Sequence, residues 1–288
     1  MSDRNQKETS VLIDRAVEGD REALEALLTQ VQDMIFNLSL RMLGTVPDAE
    51  DASQEILIKV MTHLSSFRKE SSFTTWVFRI AVNYLKDYRK NMFSHHPLSF
   101  EIYEEDIASG REKDIPDLSQ GVDRTVLAEE LKMSCTNVML QCLDRESRCI
   151  YILGTMFRAD SRMAGEILGM TPEAYRKRLS RIRERMGTFL SEYCGLSGTG
   201  ICSCKKRTDY AIATHRLHPE QLEYKALEHT ERDIMLECKE AMEKVDDLSL
   251  IFANMPFYRT SSKASEWIKR FLKSEEFKII AEAGEGCG

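Results

Sequence analysis

The sequence predicts an all-α protein: two small helical domains joined by an acidic linker, the second with a helix-turn-helix, plus a mostly helical C-terminal extension. Three observations predict it. Charged side chains make up 30% of the 288 residues, only 6 prolines and 14 glycines punctuate the chain, and apolar residues recur at helical spacing along most of it. A chain of this length accommodates two or three domains of ordinary size.

The elements follow in order. Apolar positions run through 11–17 and then Leu24, Leu27, Leu28, Val31, Ile35, Leu38 and Met42; Gly19 and Asp20 separate two helices and Gly44 closes the second. Pro47 and Asp48 open a third helix carrying Ile56, Leu57, Val60, Met61 and Leu64, and a polar loop at 68–72 precedes a fourth over 73–90. These helices make the first domain, 1–91. Over 92–121 the periodicity fades, and Pro97, Gly110, Pro116 and Gly121 stand among acidic residues, which predicts an extended linker. Helical pattern resumes over 122–143, then over 145–157 with Asp144 as its N-cap, and two helices at 161–168 and 172–190 complete a second domain, 122–190. The remainder, 191–288, opens with a glycine- and cysteine-rich stretch. Amphipathic helices are expected over 222–250 and 267–277, with Met235, Leu236, Met242, Val245, Leu248 and Ile251 as an apolar stripe.

A formal charge of −7 argues at first against a nucleic-acid partner, because phosphate binding rests on Lys and Arg. The local balance differs: residues 172–187 carry a net +4, whereas 97–130 carry −7. No run of 18 apolar residues occurs and the first ten residues are polar, so the expected location is cytoplasmic, with no membrane partner. Eight cysteines in such a chain suggest reduced thiols, a metal site or redox sensing rather than a disulfide scaffold. No set of nucleophile, base and orienting group and no phosphate-binding loop appears, so an enzyme is not expected.

Residues 161–185 carry the pattern helix, tight turn, helix. Ala164 and Gly165 permit a close helix crossing, Gly169 stands at the turn and Pro172 at the start of the second helix. Arg176, Lys177, Arg178, Ser180, Arg181 and Arg183 then offer an exposed basic face while Leu179, Ile182 and Met186 turn inward. Such a helix suits the major groove, with arginines for guanine edges and phosphates. A solvated basic face is the plain alternative for an isolated run of this kind; the turn and first helix favour DNA.

Upstream, FRKESSFTTWVFRIAVNYLKDYRK (67–90) interleaves Phe67, Phe73, Trp76, Phe78, Tyr84 and Tyr88 with Arg68, Arg79, Lys86, Arg89 and Lys90. Aromatics can stack on unpaired bases while cations follow the backbone. The aromatics can equally be core, which is expected of Phe78 and most of Trp76; the loop residues and Asn83 are the better ligand candidates.

Three motifs, DAEDASQEILIKV (48–60), the run F-R-x(4)-F-x-T-W-x-x-R-I-A-x-N (67–83), and EILGM followed by RKRLSRIRERM, resemble the extracytoplasmic-function (ECF) group of bacterial RNA polymerase sigma factors in order and spacing. The resemblance covers roughly 11–190. It implies two partners, core RNA polymerase and promoter DNA, with a separate anti-sigma factor a further partner that the family admits. It assigns the helix bearing Asp48, Asp51, Gln54 and Glu55 to docking on the polymerase. Phe67, Arg68, Ser71, Trp76, Arg79, Asn83 and Lys86 fall to capture and opening of the −10 element, where a base is flipped into a pocket at an unstacking cost of a few kcal/mol. The basic helix from Pro172 is assigned to the −35 element. The acidic linker is expected to lie in a channel built for nucleic acid or to be a plain tether. Two departures, Gly165 where the family usually has alanine and Tyr175 where a β-branched residue is usual, bear on packing and on the −35 sequence read.

Beyond that core the chain continues for roughly 100 residues. Cys194, Cys202 and Cys204 follow C-x(7)-C-x-C, with Lys205, Lys206 and Arg207 beside them. No cofactor is required for the expected function, but three thiolates suit zinc or another soft metal ion, with Cys238, His215 or His218 as the fourth ligand. A redox switch and inert thiols are the alternatives. The apolar stripe downstream predicts a tail packed on the DNA-binding domains, restraining them in cis. The rival reading, a dimeric helix-turn-helix regulator with a sensing tail, gives no reason for the 48–83 motifs.

Overall fold

A computed structural model describes residues 3–88, 98–109, 115–230, 248–275 and 277. These form α-helices, with no β-strand among them and one isolated bridge between His229 and Tyr258. Among the described residues no helix is long and apolar enough to cross a membrane.

The expected first domain is built on α2 (Arg21–Leu43), the most enclosed helix among the described residues. Asp20 caps it, accepting from the N–H groups of Glu22 and Ala23, and Gly44 ends it in the left-handed region at φ 90°, where a residue without Cβ carries no strain. Around α2 pack α1 (Asp3–Val17), α3 (Val46–Thr62) and α4 (Phe73–Asp87). Thr45 and Ser72 cap α3 and α4 through their hydroxyls. The fourth helix ends at Asp87 rather than continuing to 90: Tyr88 is extended, and the carbonyl of Lys86 is taken by Arg145.

Residues 98–109 are not extended as the linker reading expected. Phe100, Tyr103 and Ile107, at spacings of three and four, form the buried face of α5 (Phe100–Ser109), and both rings pack on Phe189 at 5.1 and 5.7 Å. Each such side chain removed from water contributes about 1.5–3 kcal/mol, enough to hold a short helix that its acidic face alone would leave undecided.

The expected second domain comprises α6 (Arg124–Leu140), α7 (Arg145–Tyr151), α8 (Ser161–Leu168) and α9 (Pro172–Tyr193). Asp144 caps α7 as expected, but the helix widens to a π-turn over Ile152–Met156 before Phe157. Gly154 lies there against Tyr175: a Cβ at 154 would stand 2.4 Å from the Tyr175 hydroxyl oxygen.

In the extension, α10 (Cys204–Ala213), α11 (Ser249–Ala253) and α12 (Ser262–Phe271) are helical. Residues 222–230, expected to begin a long helix, form turns, because tertiary partners take their backbone groups. Glu130 accepts from the N–H of Tyr224 and of Lys225, both at 2.9 Å, and the Glu228 carbonyl accepts from the N–H of Arg259. Met235, Leu236, Met242 and Val245 of the expected stripe lie outside the described residues; Leu248 and Ile251 pack against the core.

One hydrophobic cluster runs from Ile13 to Leu272, so the two domains and the extension share a core. Phe78 of α4, Phe157 and Phe257 form a continuous series of edge-to-face ring contacts at 5.2 Å each. A smaller cluster, Leu127, Leu131, Ala211 and Leu217, joins α6 to α10.

Candidate nucleic-acid and polymerase interface

The turn before α9 is shaped by two glycines. Gly169 is left-handed at φ 68°, and a Cβ on Gly165 would stand 2.7 Å from the Met170 carbonyl oxygen, so the chain reverses closely over α8. The departure from alanine at 165 is therefore a packing requirement of this turn. Tyr175 is fully buried and donates from its hydroxyl to the Ile150 carbonyl at 3.2 Å, in the space left by Gly154; the two residues answer each other.

Tyr175, Leu179, Ile182, Met186 and Leu190 form the inward stripe of α9. Of the six residues expected to read DNA, Arg176, Lys177, Ser180 and Arg181 are exposed. Lys177 pairs with Glu173 at 3.0 Å on the surface, a contact of small worth, and Arg176 donates to the Ser161 hydroxyl at 2.9 Å. Arg178 and Arg183 are engaged inside the domain: Arg178 pairs with Glu146 at 2.7 Å, and Arg183 donates to the Gly154 carbonyl at 3.1 Å and the Thr155 hydroxyl at 3.2 Å. Arg185 lies over the Phe100 ring at 4.7 Å.

In the first domain Phe67, Phe73 and Trp76 stand within 5.2–6.0 Å of one another, Phe73 buried and the other two partly so. Arg68, Arg79 and Asn83 are exposed, while Ser71 and Lys86 are partly buried. Trp76, Arg79, Asn83 and Lys86, at spacings of three and four, share one face of α4. Beside that helix a cleft of about 330 Å³ opens between α1 and the loop, lined by Lys7, Ser10, Phe67, Lys69, Ser71 and Phe73 among others. Lys69 holds a left-handed backbone at φ 59° and pairs with Asp14 of α1 at 2.5 Å.

On α3, Asp51 and Glu55 are exposed, Gln54 is partly buried, and Asp48 accepts a 2.7 Å hydrogen bond from the Thr45 hydroxyl as part of the helix cap. Burial, then the Glu55 carboxylate, pushes the Tyr84 phenol up to about 12; burial and the Asp48, Asp51 and Glu55 carboxylates raise Tyr88 as well. The acidic row thus fronts Tyr84 of α4 and Tyr88 just beyond its end.

The three clustered cysteines come together in space. Cys194, Cys202 and Cys204 line a void of about 30 Å³ between α6, the end of α9 and the start of α10, and burial pushes each thiol up to about 11. Cys135 of α6 lines the same void. Sequence reasoning passed over it because it falls within a helical pattern, where a lone cysteine looks like core. The fourth-ligand candidates fare differently: His215 and His218 are exposed in the turn after α10 and line another cleft, and Cys238 lies outside the described residues. Among the described residues no three His, Cys, Asp or Glu side chains are gathered as a ready metal shell.

Two buried arginines bind these parts together, and neither was singled out from the sequence. Arg41 of α2 is fully buried, donates to the Asn137 side chain at 2.8 Å and to the Pro256 carbonyl at 2.6 Å, and has its pKa lowered by burial. Arg148 of α7 donates to the carbonyls of Leu140, Leu143 and Met42, the last at 2.5 Å, and burial brings it down to about 10. For Arg41 the available signal was a cation inside the otherwise apolar run at 40–43, where a charge needs a dedicated partner.

Residues 27–91 match the family model described as Sigma-70 region 2. The ECF RNA polymerase sigma-E factor of Haemophilus influenzae is 33% identical over 150 residues, covering 47% of this chain and 78% of that protein. The ECF RNA polymerase sigma factor SigW of Bacillus subtilis is 27% identical over 182 residues, 60% of this chain and 92% of that protein. The RNA polymerase sigma-H factor of Pseudomonas aeruginosa is 35% identical over 83 residues, and there the match spans 29% of this chain and 43% of that protein.

Proposed function

The chain belongs to the ECF group of RNA polymerase sigma factors, and we propose that it initiates transcription as one, binding core polymerase through α3, opening the −10 element with α4 and reading −35 duplex with α9. The observation that carries this reading is the set of outward residues. Asp51 and Glu55 face out from α3, Arg79 and Asn83 from α4, and Lys177, Ser180 and Arg181 from α9. Each set lies in the helix whose family motif calls for that contact. The cleft beside Phe67 and Ser71 is where a flipped base would enter, with the exposed Arg68 near its phosphate.

The closed arrangement is not the one that works. The −10 and −35 elements are about 25 base pairs apart by name, roughly 85 Å of duplex at 3.4 Å per pair. Here α4 packs directly on α8, the first helix of the helix-turn-helix. The two domains must separate before both elements are contacted, and the extension opposes that separation. Arg41 ties α2 at once to α6 and to the Pro256 carbonyl, and Asn37 exchanges hydrogen bonds with the backbone of Tyr258 at 2.7 and 2.9 Å. The extension is therefore a restraint in cis that core polymerase has to overcome.

Co-purification with core polymerase and permanganate probing of thymines at the −10 element test this reading. Core binding and chain-dependent thymine reactivity are expected. Failure to bind core, together with unreactive thymines at every promoter tried, contradicts it.

A further inference from the structure

We infer that Cys135, Cys194, Cys202 and Cys204 form a zinc site that staples the extension to the DNA-reading domain. The four residues come from three elements, α6, the C-terminal end of α9 and the first turn of α10, and line one void of about 30 Å³, the size of a single ion or water.

The backbone brings Cys194 and Cys202 side by side. After α9 the chain doubles back so that the Cys202 N–H donates to the Tyr193 carbonyl at 3.0 Å. Only glycine fits at two points of that reversal: a Cβ on Gly195 would stand 1.9 Å from the Cys202 carbonyl oxygen, and one on Gly200 would stand 2.4 Å from backbone atoms of Cys194. A loop whose glycines are dictated by the apposition of two cysteines is an unusual way to bury inert thiols. The other buried cysteines, Cys142 and Cys149, line no part of this void.

The chemistry selects the ion. Four thiolates and no carboxylate or imidazole suit a tetrahedral soft or borderline cation, and zinc forms closed sites of this composition. A zinc tetrathiolate carries two net negative charges, and Lys132 and Arg207, paired in this structure with Glu129 and Asp106, stand on the same wall. The amino end of α10, where Cys204 sits, adds its positive dipole end. Because the described side chains are not gathered as a ready shell, binding must draw the thiols inward, so the ion orders the junction as it enters.

The test uses the full chain. Purified in the presence of zinc, it is expected to hold about one zinc per molecule, with about four sulfur neighbours near 2.3 Å in X-ray absorption. Cys135→Ser is expected to lower the zinc content about tenfold or more, whereas Cys142→Ser keeps it. Should Cys135→Ser fail to fold, differential alkylation of the wild type identifies the ligands: chelation should expose Cys135, Cys194, Cys202 and Cys204 and leave Cys142 and Cys149 unchanged. A zinc-free protein, a shell containing nitrogen or oxygen, a set of newly exposed cysteines without Cys135, or two of the four recovered as a disulfide would each overturn the inference. None of these outcomes depends on transcription, so the site and the sigma-factor reading stand or fall separately.

Discussion

Arg145, in the first turn of α7, donates a 2.7 Å hydrogen bond to the carbonyl of Lys86, so the second domain caps the last turn of the helix assigned to the −10 element. A cation there meets the unpaired carbonyls and the negative end of the helix dipole. Arg145→Ala is expected to weaken the contact between the domains by about 1.5–3 kcal/mol. Distance distributions between spin labels on α1 and α9 should broaden toward longer separations in the variant. An unchanged distribution would mean the contact does not hold the domains together.

Arg41→Leu removes the cation that joins α2 to Asn137 and to the Pro256 carbonyl. The acceptors left behind are buried, and the expected loss is about 2–4 kcal/mol. Limited proteolysis should then cut within 214–230 well before the core of the first domain. Cleavage at the wild-type rate would show that the extension does not depend on this residue.

Two arginines two positions apart, about 3 Å along the helix axis at about 1.5 Å rise per residue, should behave differently. Arg181 is exposed and Arg183 is bonded to Gly154 and Thr155. Arg181→Ala should weaken promoter binding by about 1–3 kcal/mol with no change in melting temperature. Arg183→Ala should lower the melting temperature instead. The reverse pattern would move the reading face to the other side of α9.

Gly165→Ala, which would restore the residue usual in the family, should destabilise the second domain by about 1–3 kcal/mol, because the added methyl meets the Met170 carbonyl. Chemical denaturation measures it. A neutral or stabilising result would show that the turn yields at no cost.

Glu55→Lys reverses a charge on the exposed acidic row without touching the cap that Asp48 makes with Thr45. Core polymerase affinity is expected to fall at least about tenfold, or roughly 1.4 kcal/mol. Unaltered affinity would shift docking away from α3.

The all-α class and the helices α1 to α4, α8 and α9 were legible because caps and periodicity agree there. Asp20, Gly44, Asp144, Gly169 and Pro172 mark ends that the structure keeps. What was not legible rests on partners distant in sequence. Helix α5 forms because Phe100 and Tyr103 meet Phe189, and residues 222–230 leave the helical path because Glu130 takes their N–H groups. The basic face of α9 narrowed for the same reason: Glu146 and Gly154 claim Arg178 and Arg183, and no local pattern announces either. Cys135 joined the cysteine cluster only when α6 was packed beside the loop.

Run-off transcription by purified core polymerase on templates carrying randomised −35 and −10 segments tests the central claim most directly. The full chain is expected to yield transcripts from discrete starts on a selected subset of templates, with none in its absence and with losses in Asn83→Ala and Arg181→Ala. Transcription that is absent, or equal with and without the chain on every template, would contradict it.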